Sequence, residues 1–301
     1  METGLAAALT TDQMKDSSTE TGNQKEMKKE MELEMEKELW PKDVKLYQPP
    51  EEDQILLPER ASCLAVKTYL RMCNLPFTER SCVNAEFMST EGRLSRLPLL
   101  RLGGKLLTEF EPIVGHVEQM LGGKGLSSWL DEEEREDMRS LVTYMENTCT
   151  LTEFHTCFLE EKVYDDHTRL RNGAAHPWPL STWRRHDKRQ EALRLLHVYQ
   201  WDELSGDRAN LKLNECLQLL DDMLKEKQDS LEHALTIQSF IYGKQLCELD
   251  ALIYGHLTAI LTTVLPNPLL ALTVRKFPRL VTYCRRIDEQ FHGGKHFAGE
   301  D

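Results

Sequence analysis

The stretch RLPLLRLGGKLLTEFEP, residues 96–112, has the layout of a small-ligand cradle. A leucine-rich strand passes through Pro98, and a Gly103-Gly104 turn sends back a second short strand. Glu109 then opens a helix whose first N–H groups could meet an anion. Thiol chemistry at such a cradle also needs a group that holds or stabilises a thiolate. Ser62 and Cys63 are the candidates, because they fall at the start of the apolar-periodic segment ASCLAVKTYLRMC, 61–73. Against them, Glu51, Glu52 and Asp53 lie in the preceding loop and disfavour an anion nearby unless they point away.

Other chemistry-bearing residues are scattered. The cysteines Cys63, Cys73, Cys82, Cys149, Cys157, Cys216, Cys247 and Cys284 form no C-x-x-C pair, and no histidine pair joins them at zinc spacing. The simplest reading is reduced core residues in a cytosol-facing protein. His292 and His296 lie in FHGGKHFAGE, whose glycines remove the helix that would bring them together. No metal and no other cofactor is expected. The segment STWRRHDKRQEALR, 181–194, gathers Arg184, Arg185, Lys188, Arg189 and Arg194 beside Trp178 and Trp183. It reads either as a solvated helix face or as a contact for anionic lipid or an acidic partner. Asp250 sits near the start of a helix expected over 248–265, where a carboxylate cap is worth about 1 kcal/mol. Cys247, three residues earlier, replaces the usual Ser or Thr and weakens the reciprocal half of that cap.

Composition limits the function classes. Fifty acidic against thirty-seven basic residues give a net charge of -13 over 301 residues, which argues against a general nucleic-acid binder. The first 40 residues contain no arginine and twice as many acids as lysines, the opposite of a mitochondrial presequence. The most apolar run, ALIYGHLTAILTTVL at 251–265, contains His256 and is too short for a bilayer, which needs about 20 residues. It is read as a buried core helix.

The elements that must position these residues follow from periodicity. Residues 1–40 form an acidic low-complexity extension in which Met27, Met31, Met35 and Leu39 recur every fourth position, a partly helical or disordered segment. A strand at 44–48, a loop PPEEDQILLPER, a helix at 61–73 and a strand in LPFTERSCV give a parallel crossover. Two strands around Gly103-Gly104 and a helix in FEPIVGHVEQML complete a β-α-β-β-β-α order over 44–121. The region 126–291 reads as all helical. A helix follows the acids of DEEERED, and HPWPL at 176–180 interrupts the chain. Further helices are expected near 181–200, 208–228 and 248–265 and in RLVTYCRRIDEQF. A polar tail, 292–301, carries no hydrophobic anchor.

The β-α-β-β-β-α order with Pro98 at its third strand resembles the thioredoxin-like fold, and an all-helical half after it is the architecture of glutathione transferases. SFIYGKQLCELDALIYGHL, 239–257, resembles their tight turn and acid-capped helix. The implied fold class is α+β/α, an N-terminal thioredoxin-like domain followed by an all-α glutathione-transferase-like domain. More specifically, LYQ (46–48), QILL (54–57), MCNLP (72–76), NAEFMS (84–89) and EPIV (111–114) are similar to the metaxins, of the metaxin-2 type. So are PWPL (177–180), ELDALIYGHL with LTT (248–263) and CRRI (284–287). That resemblance spans 44–291. It implies a non-enzymatic subunit of the sorting and assembly machinery on the cytosolic face of the mitochondrial outer membrane. The expected partners are a membrane-anchored metaxin paralogue and an outer-membrane β-barrel assembly subunit, with peripheral membrane association and no nucleic acid.

Glutathione transferases place a Ser or Thr directly after the acid that opens the helix behind the fourth strand, where it binds the ligand's carboxylate. Here Glu109 is followed by Phe110, which cannot donate that bond. Their activating residue at the first helix is also displaced, by the lengthened loop EEDQILLPE. Pro98 and Asp250 are therefore expected to be structural, and the rival reading is a thiol-dependent transferase or peroxidase that uses Cys63.

Overall fold

A computed structural model of the chain describes residues 40–83, 85, 96–231, 240–243 and 245–298. The methionine stripe at 27–39 lies outside the described residues, as does the loop NAEFMSTEG apart from Ala85. From Pro41 onward the chain forms one compact unit.

Four short strands build the sheet: β1 (Lys45–Gln48), β2 (Thr78–Ser81), β3 (Leu99–Leu102) and β4 (Lys105–Thr108). Their order is β2-β1-β3-β4, with β1 parallel to β2 and antiparallel to β3. Leu46 faces Leu100, which in turn faces Leu107, so one leucine row fixes the register by its burial. Gly103, at φ +55°, supplies the left-handed residue of the β3–β4 turn. β2 is a fully exposed edge with four polar residues, Thr78 to Ser81, which discourages pairing with another chain.

Helix α1 (Leu57–Met72) is the crossover between β1 and β2. It begins four residues earlier than its apolar period suggests. No Ser, Thr, Asp or Asn precedes it, and its start is instead set by Pro58 in the first turn and by Glu59, whose carboxylate accepts the Leu56 N–H at 2.9 Å. Helix α2 (Phe110–Met120) follows β4 directly.

The helical half comprises α3 (Glu132–Phe158), α4 (Glu161–Val163), a π-helical turn (Tyr164–Thr168), α5 (Arg169–Arg171), α6 (Leu180–Val198) and α7 (Gly206–Leu231). After these come α8 (Glu248–Thr262), α9 (Leu269–Arg275) and α10 (Pro278–His292). Asp131 caps α3 by accepting the Glu134 N–H at 2.8 Å. α8 ends three residues before the limit expected from hydropathy, because Pro266, Asn267 and Pro268 follow, and Asn267 Oδ1 restarts the chain as α9 by accepting the Leu269 N–H at 3.0 Å. α9 was not visible as a separate helix in the sequence pattern.

α8 is buried on every side and packs along α1, joining the sheet half to the helical half. The crossing point is Gly255. A β-carbon there would lie 2.5 Å from the Ala65 nitrogen and 2.7 Å from the Ala61 carbonyl oxygen, so only glycine permits the approach. The observed class is a thioredoxin-like sheet half followed by an all-α half.

Candidate functional site

The cradle of 96–112 opens on a cleft of about 310 Å³ between the start of α1, the β4–α2 junction, α3 and α6. Glu109 immediately precedes α2 at φ +69° and ψ 159° without a side-chain cap bond, a backbone region that a non-glycine residue holds at a cost of about 1–3 kcal/mol. The Leu97–Pro98 peptide is cis.

The side chains of the cleft do not fit a thiol. Phe110 is buried edge-on against Tyr69, with ring centroids 6.0 Å apart, and puts a ring where a hydroxyl donor would stand. Cys63 is 1% exposed and points into a core cluster with Ile55, Leu97 and Leu99. Burial pushes its thiol far above the range in which a thiolate forms, and Lys67 offsets this only in part. Ser62, not Cys63, reaches the cleft wall. This removes the physical basis for a reactive Cys63: the true helix start is Leu57, which moves both residues into the second turn.

The cleft is also acidic. Glu59, Glu109, Glu111, Glu146 and Glu191 line it against only Arg96 and Lys188. Lys188 is engaged by Glu59 in a close ion pair, and Arg96 lies 3.8 Å from Glu109. Burial raises the Glu146 carboxyl, against the pull of His256, and raises Glu191 against Lys188. An anionic ligand entering here would meet five acidic side chains against two basic ones.

Asp250 does more than cap α8. Fully buried, it accepts the Cys247 N–H at 2.7 Å, the Ile241 N–H at 3.0 Å and the Tyr283 hydroxyl. It thus ties the 240–243 turn, the start of α8 and α10 together. Burial raises its pKa, although these donors favour the charged form. Two further buried ionic groups went unseen in the sequence. Lys67, 3% exposed, pairs with Glu51 at 3.2 Å and Glu79 at 2.8 Å, and His256 meets Glu153 at 2.8 Å in the core. Lys67 holds the Glu51 carboxyl down at about 2, although burial alone would raise it. Nothing local marks Lys67, Glu153 and His256, which sit on buried stretches of helix.

Contrary to the expectation that glycines separate them, His292 and His296 converge with Asp288, with candidate ligand atoms within 4.8 Å of one another. Gly293 and Gly294, at φ +67° and +72°, turn the chain back instead. Protein groups already occupy the cluster. Asp288 accepts the Tyr254 hydroxyl at 2.6 Å and the His296 N–H at 3.0 Å, while His292 meets Thr68 at 2.9 Å and Arg71 at its other nitrogen. Burial, reinforced by Arg71, holds His292 down at about 3. A guanidinium at that ring repels a cation, so the cluster fastens the tail to α1.

The basic run on α6 is not a continuous charged face. Lys188 turns to Glu59, Arg189 stacks over Tyr164 at 3.9 Å, and Arg185 donates to the Asn172 carbonyl at 3.0 Å. Beside them, Trp178 is 82% and Trp183 57% exposed, and Arg184 lies over the Trp183 ring at 5.3 Å.

Comparison with known proteins fits this geometry. Residues 63–189 match a family described as "Outer mitochondrial membrane transport complex protein", and residues 213–287 match a glutathione S-transferase C-terminal domain family. Human metaxin-2 is 32% identical over 84% of this chain and 90% of its own length. Mouse metaxin-1 is 27% identical over 74% and 68% respectively. Among solved structures, the β-etherase LigF from Sphingobium superposes with a TM-score of 0.53 at 16% identity, covering 85% of this chain and 98% of that one. An apo glutathione S-transferase III superposes with a TM-score of 0.50 at 14% identity, covering 85% and 96%.

Proposed function

Since the chain belongs to the metaxin family, we propose that it is a non-catalytic subunit of a protein transport and assembly complex at the mitochondrial outer membrane. It is more similar to the metaxin-2 members, at 32–33% identity, than to the metaxin-1 members, at 25–27%. In this reading a membrane-anchored metaxin paralogue holds it by protein contacts on the cytosolic face, next to a subunit that inserts β-barrel proteins. Among the described residues no helix is long and apolar enough to cross a membrane, which is consistent with a held rather than a spanning subunit.

The observation that carries the non-catalytic part is the cleft. Phe110 stands where a carboxylate-binding hydroxyl would be needed, burial pushes the Cys63 thiol up, and the walls are acidic. Depleting the chain from cells should slow insertion of a radiolabelled β-barrel precursor into isolated mitochondria. Re-expression of a Cys63→Ala variant should restore it fully. Normal insertion after depletion, or rescue that requires the thiol, would overturn the proposal.

A further inference from the structure

We propose that the protrusion formed by the 172–179 loop and the first turn of α6 rests on an anionic lipid surface, with Trp178 and Trp183 seated at headgroup depth. The proposal deepens the outer-membrane reading above and rests on it for its setting, but it concerns the isolated chain and a bilayer.

The loop is built to hold its apolar tip in water. Gly173, at φ +86°, sits so close to α6 that a β-carbon would lie 2.9 Å from the Ser181 carbonyl oxygen. His176 N–H donates to the Gly173 carbonyl at 3.0 Å, Ser181 N–H to Pro177 at 3.1 Å and Trp183 N–H to Pro179 at 3.2 Å. Arg185 closes the base by donating to the Asn172 carbonyl. On this support Trp178, Trp183, Leu170 and Leu180 are 82%, 57%, 56% and 40% exposed. Both exposed tryptophans among the described residues are here. Amphipathic indole rings favour the membrane–water interface.

Charge identifies the lipid. From His167 to His186 there is no acidic residue, in a chain that carries 50 of them, while Arg169, Arg171, Arg184 and Arg185 fall in that interval. Asp165 offsets Arg169 at 3.4 Å. Arg185 donates to the neutral Asn172 carbonyl, whereas Arg171 lies against the backbone of the exposed acidic loop at Glu51 and Glu52, so Arg184 and Arg185 supply the positive charge next to the tryptophans. A chain of net charge -13 is repelled by an anionic bilayer on most faces, so this face sets its orientation.

Two tryptophans at these exposures offer on the order of 300 Å² of apolar surface, and Leu170 and Leu180 add to it. Shallow insertion of two aromatic rings, aided by a few cations, needs no more than is present.

The test is flotation of the purified full chain with vesicles of phosphatidylcholine alone and of roughly three parts phosphatidylcholine to one part phosphatidylserine, which carry a negative surface potential. The chain should float with the mixed vesicles and shift its tryptophan fluorescence to shorter wavelength. The Trp178→Ser/Trp183→Ser variant should bind at least about tenfold more weakly. Arg184→Gln should bind about fivefold more weakly at low salt, and that gap should close at high salt. The double tryptophan variant should keep the wild-type melting midpoint, since both side chains are exposed. Equal flotation of the wild type and the double tryptophan variant, or no flotation of the wild type, overturns the proposal. So does a double variant that floats normally but loses its metaxin partner, which would make the protrusion a protein contact. Loss of flotation alone leaves the complex-subunit reading standing.

Discussion

Replacing Gly255 by alanine tests the packing that joins the two halves. Alanine raises intrinsic helix stability by about 1 kcal/mol over glycine, so on local grounds the substitution should help. The new methyl would lie 2.5 Å from the Ala65 nitrogen, 2.6 Å from its β-carbon and 2.7 Å from the Ala61 carbonyl oxygen. Two of these are backbone atoms that no rotamer change can move. Ordinary contact requires α1 and α8 to separate by about 1 Å, which forfeits a quarter to a half of the dispersion well across their buried seam. Overpacking of this kind costs up to about 3 kcal/mol, leaving a net loss of about 2 kcal/mol. For a chain of 301 residues that corresponds to a fall in Tm of about 3–4 °C. Urea and thermal denaturation would read it. An added Ala65→Gly change removes only the β-carbon clash, so it should rescue in part. A Gly255→Ala protein as stable as wild type, or more stable, would refute the close approach and with it the placement of α8.

Three further outcomes follow from the same structure. The chain should show no saturable heat of binding with glutathione in calorimetry and no conjugation to a model electrophile; activity abolished by Cys63→Ala would promote the enzyme reading. Because His292 is held down at about 3 by burial and by Arg71, the folded form stays neutral while the unfolded form protonates near 6.5. Stability is then complete above about pH 6.5 and is lost progressively toward about pH 3, and His292→Gln should flatten urea midpoints measured between about pH 7 and about pH 5. Asp250→Ala strands the Cys247 and Ile241 N–H groups in the core and should cost about 3 kcal/mol in urea denaturation, with a loss below about 1 kcal/mol counting against the network.

Most long helices were legible because burial imposes a period of 3.6 on the sequence, and the β3–β4 hairpin because the Gly103-Gly104 turn marks it, while β1 alone alternates in burial. The missing hydroxyl at Phe110 was legible too, since a single residue type decides it. The start of α1 was hidden by an unusual cap, with Glu59 answering the Leu56 N–H and no polar side chain at the cap itself. The acidity of the cleft was hidden for a different reason. Glu59, Glu109, Glu146 and Glu191 come from four distant parts of the chain, and only the tertiary fold brings them to one wall. The convergence of His292 and His296 was misread because paired glycines can reverse a chain as readily as they loosen it. The basic run on α6 looked continuous in sequence, yet Lys188, Arg189 and Arg185 find partners across the fold rather than along the helix.

In the proposed role this fold serves by its contacts and not by chemistry in its cleft. Native isolation of the tagged full chain from mitochondria in mild detergent, with mass spectrometry of what accompanies it, tests this most directly. Stoichiometric recovery of a membrane-anchored metaxin paralogue and an outer-membrane β-barrel assembly subunit is expected. A monomeric chain recovered without either, and able to turn over glutathione, would contradict it.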